Sequence, residues 1–255
     1  MTADEVLAAL DLPREARVDR RIAKKLLIEN SAATAADKRQ IQDGLEDLLW
    51  VAAVKPSNAG VPEYRDAARE VVEISVLSGT LRSEAKAARI MGLIHRTIPY
   101  PLLLVLEQEG RVTLSAAAKR FSQNEAGEVV LEGAVISCEL EDRPASVAML
   151  SHWSLSAQPR NHLWALYQGW MACIEGHQAA TITGQYRQAK SEEVIEARRQ
   201  ALASHARLQR DLALLRAQAE RERQMQKRVE LNLGIRRLRS ELDQVNEILK
   251  EPRTL

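Results

Sequence analysis

The chain lacks the short motifs by which many enzymes hold a nucleotide or a metal. No GxxxxGK[ST] or GxGxxG loop occurs among its 255 residues, no GxSxG motif surrounds a serine, and only 11 glycines are present. Cys138 and Cys173 form no CxxC pair, and the five histidines are not spaced as metal ligands. We therefore expect no cofactor and no metal site, and no motif identifies a reaction.

Long apolar runs are also missing. The longest, Leu102–Leu106, is far shorter than the roughly 20 residues that span a bilayer, and the charged N-terminus has no secretory apolar region. These features predict a cytoplasmic protein that does not enter a membrane, with both cysteines reduced. The net charge of +1 gives no global attraction to nucleic acid, although residues 1–185 carry −4 and the remainder +5.

Proline is absent and glycine occurs once, at Gly234, in the sixty residues from Ser191 to Lys250. Apolar residues recur there at alternating spacings of four and three, which is typical of a coiled-coil seam. A straight helix of this length would reach roughly 90 Å, and its apolar stripe must lie against another helix. The seam positions are Leu208, Leu212, Leu215 and Ala219 in a first series and Leu231, Ile235, Leu238, Leu242, Val245 and Leu249 in a second.

Two arrangements of this segment are open. A continuous helix would pair with a second copy or with a helix of another protein, most simply as a dimer. A hairpin folded back at the charged stretch Arg216–Arg228 would instead bury its own seam. Because no glycine or proline lies between Ser191 and Leu233 to make the turn, we expect the straight helix.

The preceding residues have the mixture of patterns expected of an α+β domain, with a mixed sheet and packed helices. Thr2–Glu5 is a capping box, and Thr34 with Asp37 forms a second helix cap. The predicted strands are Trp50–Val54, Val71–Leu81, Leu102–Leu106, Arg111–Ala117 and Glu128–Cys138, and the predicted helices that follow cover 145–155 and 159–182.

These patterns predict an organisation in three parts. An α+β domain that includes a C-terminal helical pair covers 1–184, a junction covers 185–190, and a coiled-coil arm covers 191–251. We expect the domain to fold without the arm.

A few acidic residues are the nearest approach to a catalytic site. Glu73 on one predicted strand and Glu107 at the end of another, with Lys119 as the basic partner, could form a metal-dependent nuclease site. Glu107 is followed by Gln108-Glu109-Gly110 and not by a strand lysine, so solvated acids at strand ends explain these residues better.

Paired basic residues adjoin apolar segments at Lys24-Lys25 and at Lys119-Arg120. If both pairs flank one edge of the sheet, they could bind the phosphates of DNA. Solvent-facing ends of elements account for them equally well.

Four stretches, taken in order, resemble the uncharacterised bacterial family known as domain of unknown function 4391: Arg21–Asn30, Thr34–Arg39, Ile98–Val105 and Ala118–Arg120. The likeness extends over essentially the whole chain, although Ala23 stands where much of the family has proline. The family has no established activity, so the resemblance assigns no catalytic residue. It implies a genomic neighbourhood with DNA methyltransferases and helicases, in restriction-like and phage-defence systems.

The features together predict a non-catalytic adaptor subunit of a bacterial anti-phage defence or restriction-type complex, assembled through the arm. The expected partners are a second copy of the chain or a coiled-coil partner protein, and methyltransferase or helicase components of the system. One alternative is a DNA-processing, nuclease-like subunit using Glu73, Glu107 and Lys119. The other is a nucleic-acid-binding protein using Lys24, Lys25, Lys119, Arg120 and the basic arm.

Overall fold

A computed structural model describes residues 1–31, 34–123 and 127–250. The chain divides into two compact units, Met1–Ile174 and Glu175–Leu255. The α+β class predicted from the sequence is confirmed. The folding boundary at 184 and the arm over 191–251, whose last residue lies outside the described residues, stay predictions.

The elements are numbered in chain order. The strands are β1 Arg17–Arg21, β2 Leu45–Val54, β3 Tyr64–Arg65, β4 Glu70–Val71, β5 Ile74–Leu81, β6 Leu102–Gln108, β7 Arg111–Ala116, β8 Lys119–Phe121, β9 Val129–Leu131 and β10 Ile136–Leu140. The α-helices are α1 Ala3–Ala8, α2 Lys24–Ser31, α3 Ala35–Arg39, α4 Pro56–Ala59, α5 Ala87–Thr97, α6 Pro144–Leu150, α7 Leu163–Thr183, α8 Glu192–Arg221 and α9 Met225–Lys250. A π-helical turn covers Gln40–Gly44.

Six strands form one mixed sheet in the order β1-β2-β5-β6-β7-β10. Neighbours are antiparallel except for β5 and β6, which run parallel and are joined by the crossover helix α5. The apolar run Leu102–Leu106 lies in β6, between two other strands, because a strand buried on both faces needs no polar alternation. Strands β3 with β4 and β8 with β9 form two separate two-stranded sheets.

Helices of the first unit pack on this sheet and complete its apolar core. Leu77 and Leu104 pack in one cluster with Leu27 of α2 and Ile90 of α5. Because side chains alternate along a strand, Leu103 and Val105 lie on the opposite face of the sheet, where both are also buried. On α7, the Tyr167 hydroxyl bonds the backbone of Leu102 and Ala117 at 2.9 to 3.3 Å, and so ties the start of β6 to the end of β7.

The helix cap predicted at Thr2–Glu5 is present in the structure. The backbone N–H of Glu5 donates to the Thr2 hydroxyl at 3.2 Å, and the Glu5 carboxylate accepts from the Thr2 N–H at 2.7 Å, which completes the capping box. The predicted strand Glu128–Cys138 is instead two strands, because Gly133 adopts φ +78° between them. β9 then pairs with β8, and β10 pairs with β7. The helix predicted at 145–155 ends at Leu150.

The second unit is helical. α8 begins after its N-cap Ser191 and ends at Arg221, and α9 begins at Met225. The two helices pack against each other, with one apolar cluster formed by the two predicted seam series. The continuous straight helix expected from the sequence is therefore wrong: the segment is helical but folds back as a hairpin.

The hairpin turn is made without glycine or proline. Glu222 leaves the helix with φ −74° and ψ 125°. Its carboxylate accepts a hydrogen bond from the backbone N–H of Gln224 at 2.7 Å. Local bonds from a side chain to the backbone are an alternative to the glycine that a tight turn often uses. Apolar packing between α8 and α9 then stabilises the turned conformation.

An ion pair between a buried carboxylate and a partly exposed arginine also belongs to this unit. The Glu175 carboxylate, on the C-terminal part of α7, accepts from Arg199 Nε at 2.8 Å and from Arg199 Nη2 at 3.4 Å. Burial raises the pKa of Glu175, and the hydrogen bond from Arg199 opposes that shift. Arg198, the residue before Arg199, donates to the carbonyl of Arg187 at 2.7 Å.

In the ranges 1–31, 34–123 and 127–250, no helix has both the length and the apolar character that crossing a bilayer requires.

Candidate functional site

The three residues of the nuclease hypothesis do not converge. Glu107 lies near the end of β6, opposite Thr80 in the parallel pair of β5 and β6. Glu73 precedes β5 and is seven residues before Thr80, which at 3.3 Å per residue places the two acids roughly 23 Å apart along the sheet. The Glu73 carboxylate is already held by Lys55 Nζ at 3.1 Å and by the Ser75 hydroxyl at 3.1 Å. This geometry removes the reason for proposing a shared metal.

Lys119 is part of the core and not of a surface site. Its side chain is buried, with 4% of the residue exposed, and the ammonium donates to the carbonyl of Ile98. Burial lowers the pKa of Lys119 to about 7. Burial, and then the nearby Lys119, lower the pKa of His95 to about 3, and His95 Nε2 lies 3.0 Å from the Ser115 hydroxyl. Neither a substrate nor a phosphate can reach these groups in the folded chain.

The remaining basic residues of the DNA hypothesis lie in different parts of the fold. Lys24 donates to the Gln42 carbonyl at 3.2 Å, and Lys25 lies 3.7 Å from the Glu29 carboxylate, both at the start of α2 after the edge strand β1. Arg120 lies on β8, outside the six-stranded sheet, and its Nη1 donates to the Phe121 carbonyl at 3.0 Å. The two basic pairs do not flank one sheet edge.

No group of three or more His, Cys, Asp or Glu residues is arranged to hold a metal ion within the residues that the structure describes. Cys138 and Cys173 are buried and not joined in a disulfide, and burial, with a further contribution from Cys173, raises the pKa of Cys138.

The predicted seam lies inside the hairpin. Leu208, Leu212, Ile235 and Leu242 are buried, and Leu215, Leu238 and Val245 are partly buried against them. Leu249 packs with Ala179 and Ala201 in a neighbouring cluster of the same unit. Leu231 is half-buried. Because the chain covers these residues itself, an uncovered seam no longer requires a second copy of the protein.

A sequence signal for the hairpin is present in the spacing of the seam. Four pairs of seam positions have the same midpoint, residue 225: Leu208 with Leu242, Leu212 with Leu238, Leu215 with Ile235, and Ala219 with Leu231. Antiparallel helices that fold back at one point require this mirror symmetry, because each step up one helix matches a step down the other.

The outer face of α9 carries apolar side chains that stay half or more exposed in the described hairpin. Met225, Val229 and Leu233 are 68%, 53% and 50% exposed. They follow each other at intervals of four, so they form one line about 12 Å long on one face of the helix. We call these three residues the outer stripe. Sequence reasoning missed it because these residues fall between the seam positions.

Comparison with known proteins gives one result. The family model described as "Domain of unknown function (DUF4391)" matches residues 10–242. The chain belongs to this family. The comparisons of this chain with the curated proteins and with the solved structures found no match.

The stretches by which this DUF4391 chain resembles its family are in contact with each other or with the core. The Thr34 hydroxyl accepts from the Asp37 N–H at 3.1 Å, and Arg89 of α5 donates twice to the Asp37 carboxylate, at 2.6 and 2.7 Å. The bonds from Arg89, and then the bond that the Thr34 hydroxyl donates to the Asp37 carboxylate at 2.9 Å, lower the pKa of Asp37. Lys119, in another of the stretches, bonds Ile98 in a third. In this chain, the contacts of these stretches stabilise the fold.

Proposed function

We propose that this chain is a non-catalytic adaptor whose helical hairpin binds another protein through the outer stripe of α9. The observation that carries the proposal is the exposure of Met225, Val229 and Leu233 along one line of a helix whose opposite face is already packed. Monomeric proteins seldom leave aligned apolar side chains in water without a use. A helix that presents apolar residues at i, i+4 and i+8 suits a groove or a second helix on a partner.

Among its described residues, the unit that carries the sheet has no exposed apolar series of this kind. Its exposed large apolar residues, Leu26, Leu49, Tyr100 and Val147, lie on four different segments of the chain. Single exposed apolar side chains are ordinary on soluble proteins. The hairpin is therefore the part of the described chain best suited to assembly.

The proposal also includes the kind of complex in which the adaptor acts. The sequence resemblance implies neighbouring genes for DNA methyltransferases and helicases, so we propose that the complex is of the restriction or anti-phage defence type, in the cytoplasm of a bacterium. The partner would be one of those components. A second copy of the chain is the other protein that the stripe could bind.

Co-expression of the tagged chain with the proteins of neighbouring genes tests this function. We expect a methyltransferase or helicase component to co-purify, and we expect the double substitution Val229→Asp and Leu233→Asp to reduce its recovery at least tenfold. Val147→Asp is a matched control, since Val147 is 58% exposed but lies in the first unit. Equal recovery with wild type and double variant, or recovery of no neighbouring protein, would contradict the proposal.

Light scattering on the chain alone separates the two kinds of partner. A mass of one chain at micromolar concentration leaves a foreign protein as the partner. A mass of two chains that returns to one chain in the double variant identifies a second copy.

A further inference from the structure

One flank of the hairpin is lined by four arginines. Arg216 of α8 and Arg228, Arg236 and Arg239 of α9 line a groove of about 540 Å³. All four residues are exposed. Ala219, Glu220, Asn232 and Ile235 complete the lining, so one carboxylate accompanies four guanidinium groups. We call this surface the arginine groove.

These arginines have no carboxylate partner within the described part of the hairpin. The ion pairs there join Arg199 to Glu175 and Glu196, and Lys250 to Glu247. Four positive charges and the one negative charge of Glu220 are thus gathered on one surface, and none of the four arginines forms an ion pair among the described residues. Such a surface attracts an anion, and each planar guanidinium can bind a phosphate through two parallel hydrogen bonds.

The surrounding charge favours a large anion. From Arg207 to Arg239 the chain has ten Lys and Arg against four Asp and Glu, a balance of +6. The full chain carries only +1. The positive charge is therefore concentrated in the part of the hairpin nearest its turn, where it can steer and hold a polyanion.

The spacing of the arginines suits an extended ligand. Arg228 and Arg239 are separated by eleven residues, a rise of roughly 16 Å along α9. Along one strand of a duplex, phosphates follow each other every 3.4 Å of axis, so this distance corresponds to about five phosphates. A small phosphorylated metabolite would contact only part of such a row.

The composition of the hairpin favours the backbone over the bases. Residues 187–255 contain no Phe, Trp or Tyr. Proteins that bind single strands usually stack bases on aromatic rings, which this segment cannot do. Contacts to phosphates alone carry no sequence information.

We propose that the arginine groove binds the phosphodiester backbone of a nucleic-acid duplex without regard to base sequence. This inference is independent of the proposed adaptor function, because it uses a different surface and a different class of ligand. Lys24, Lys25, Lys119 and Arg120 have no part in it.

Fluorescence anisotropy of the full chain with a labelled DNA duplex of about 20 base pairs tests the proposal. Four phosphate contacts predict that the logarithm of the binding constant falls with the logarithm of salt concentration with a slope of about −3.6. We expect a labelled oligo(dT) strand of equal length to bind more weakly, and two duplexes of unrelated sequence to bind equally. An RNA duplex in a parallel titration shows which duplex is preferred.

Charge-matched variants locate the site. Arg216→Gln, Arg228→Gln, Arg236→Gln and Arg239→Gln together should weaken binding at least a hundredfold at low salt and flatten the salt slope. Arg207→Gln, Arg210→Gln, Arg221→Gln and Arg237→Gln form the control, which loses the same charge outside the groove and should retain most of the slope. Replacing the four groove arginines by lysine should restore much of the affinity, which separates loss of charge from loss of fold.

Three results would overturn the proposal. One is the absence of measurable duplex binding at 50 mM salt. Another is an equal loss of affinity in the groove variant and in the control, since net charge would then be the cause. The third is competition by a polyglutamate peptide that matches competition by unlabelled duplex at equal charge, which would assign the groove to an acidic protein surface.

Discussion

Lys119 is a buried amine whose charge opposes folding. Its pKa falls from 10.5 to about 7 because burial removes water from the ammonium. Between pH 7 and pH 10.5 the unfolded chain therefore binds more protons than the folded chain, so the free energy of unfolding rises with pH across that window. Below pH 7 Lys119 is protonated in both the folded and the unfolded chain, so it adds no further pH dependence to the free energy of unfolding.

Replacing Lys119 by methionine should remove this pH dependence. At pH 7 we expect the variant to be more stable by roughly 2 kcal/mol, because the cost of the buried amine exceeds the hydrogen bond lost to Ile98. Urea unfolding of the variant and of the wild type at pH 7 and pH 10 measures this difference in the free energy of unfolding. A variant that is less stable at pH 7, with an unchanged pH profile, would show that the ammonium is stabilising.

Single residues were predictable where the signal is local. The bonds of Thr2 with Glu5 and of Thr34 with Asp37 follow from spacing alone, because a helix cap needs only its own first turn. Arg89 was not predictable as the partner of Asp37, since that contact joins residues 52 positions apart. For the same reason Lys119 looked like a surface cation: its burial depends on where β8 lies, which no local pattern specifies.

Two helical glycines differ in what a side chain would meet. A Cβ at Gly234 of α9 would lie 3.4 Å from Leu215 Cδ1, which is an ordinary contact. A Cβ at Gly176 of α7 would lie 3.0 Å from both Arg198 Nη1 and Tyr186 Cε2. Alanine is favoured over glycine in a helix by roughly 0.5–1 kcal/mol wherever the methyl group fits.

We therefore expect Gly234→Ala to stabilise the protein by about 0.5–1 kcal/mol and Gly176→Ala to destabilise it. Thermal unfolding followed by circular dichroism measures both, and each variant serves as the control for the other. Destabilisation by Gly234→Ala would mean that α8 and α9 approach more closely than the structure shows.

Elements were predictable in type but not in pairing. The spacing of apolar residues correctly indicated helices on both sides of Glu222–Gln224 in the segment Ser191–Lys250, because it reports which face is buried. It did not say whether the covering helix comes from the same chain. The rule that a turn needs glycine or proline failed at Glu222, where a carboxylate bonds the backbone of Gln224 instead.

At the scale of the whole molecule, the apolar cluster that packs on the sheet is formed by residues of the first unit alone. This cluster runs from Leu27 to Leu106, and the hairpin has a separate cluster of its own. Gly184, with φ +82°, ends α7 and is a natural place to divide the chain.

A chain ending at Gly184 should therefore be soluble and unfold in one cooperative transition. We expect only the last turns of α7 to fray, because Ala179 and Ile182 lose the apolar neighbours provided by α8 and α9. Near-UV circular dichroism and calorimetry test this. A molten or insoluble product would show that the hairpin is part of the folding core.

Both proposals are argued from α8 and α9 folding back within one chain, which places Arg216 beside the arginines of α9 and packs the face of α9 opposite the outer stripe. Spin labels at Ala203 and Glu247, in a chain with Cys138→Ala and Cys173→Ala, measure this directly by electron–electron dipolar spectroscopy, with labelled protein diluted in unlabelled protein. The hairpin predicts a separation below about 25 Å, given helix axes 8–10 Å apart and the reach of the labels. A continuous helix predicts about 66 Å, and that distance would contradict the account.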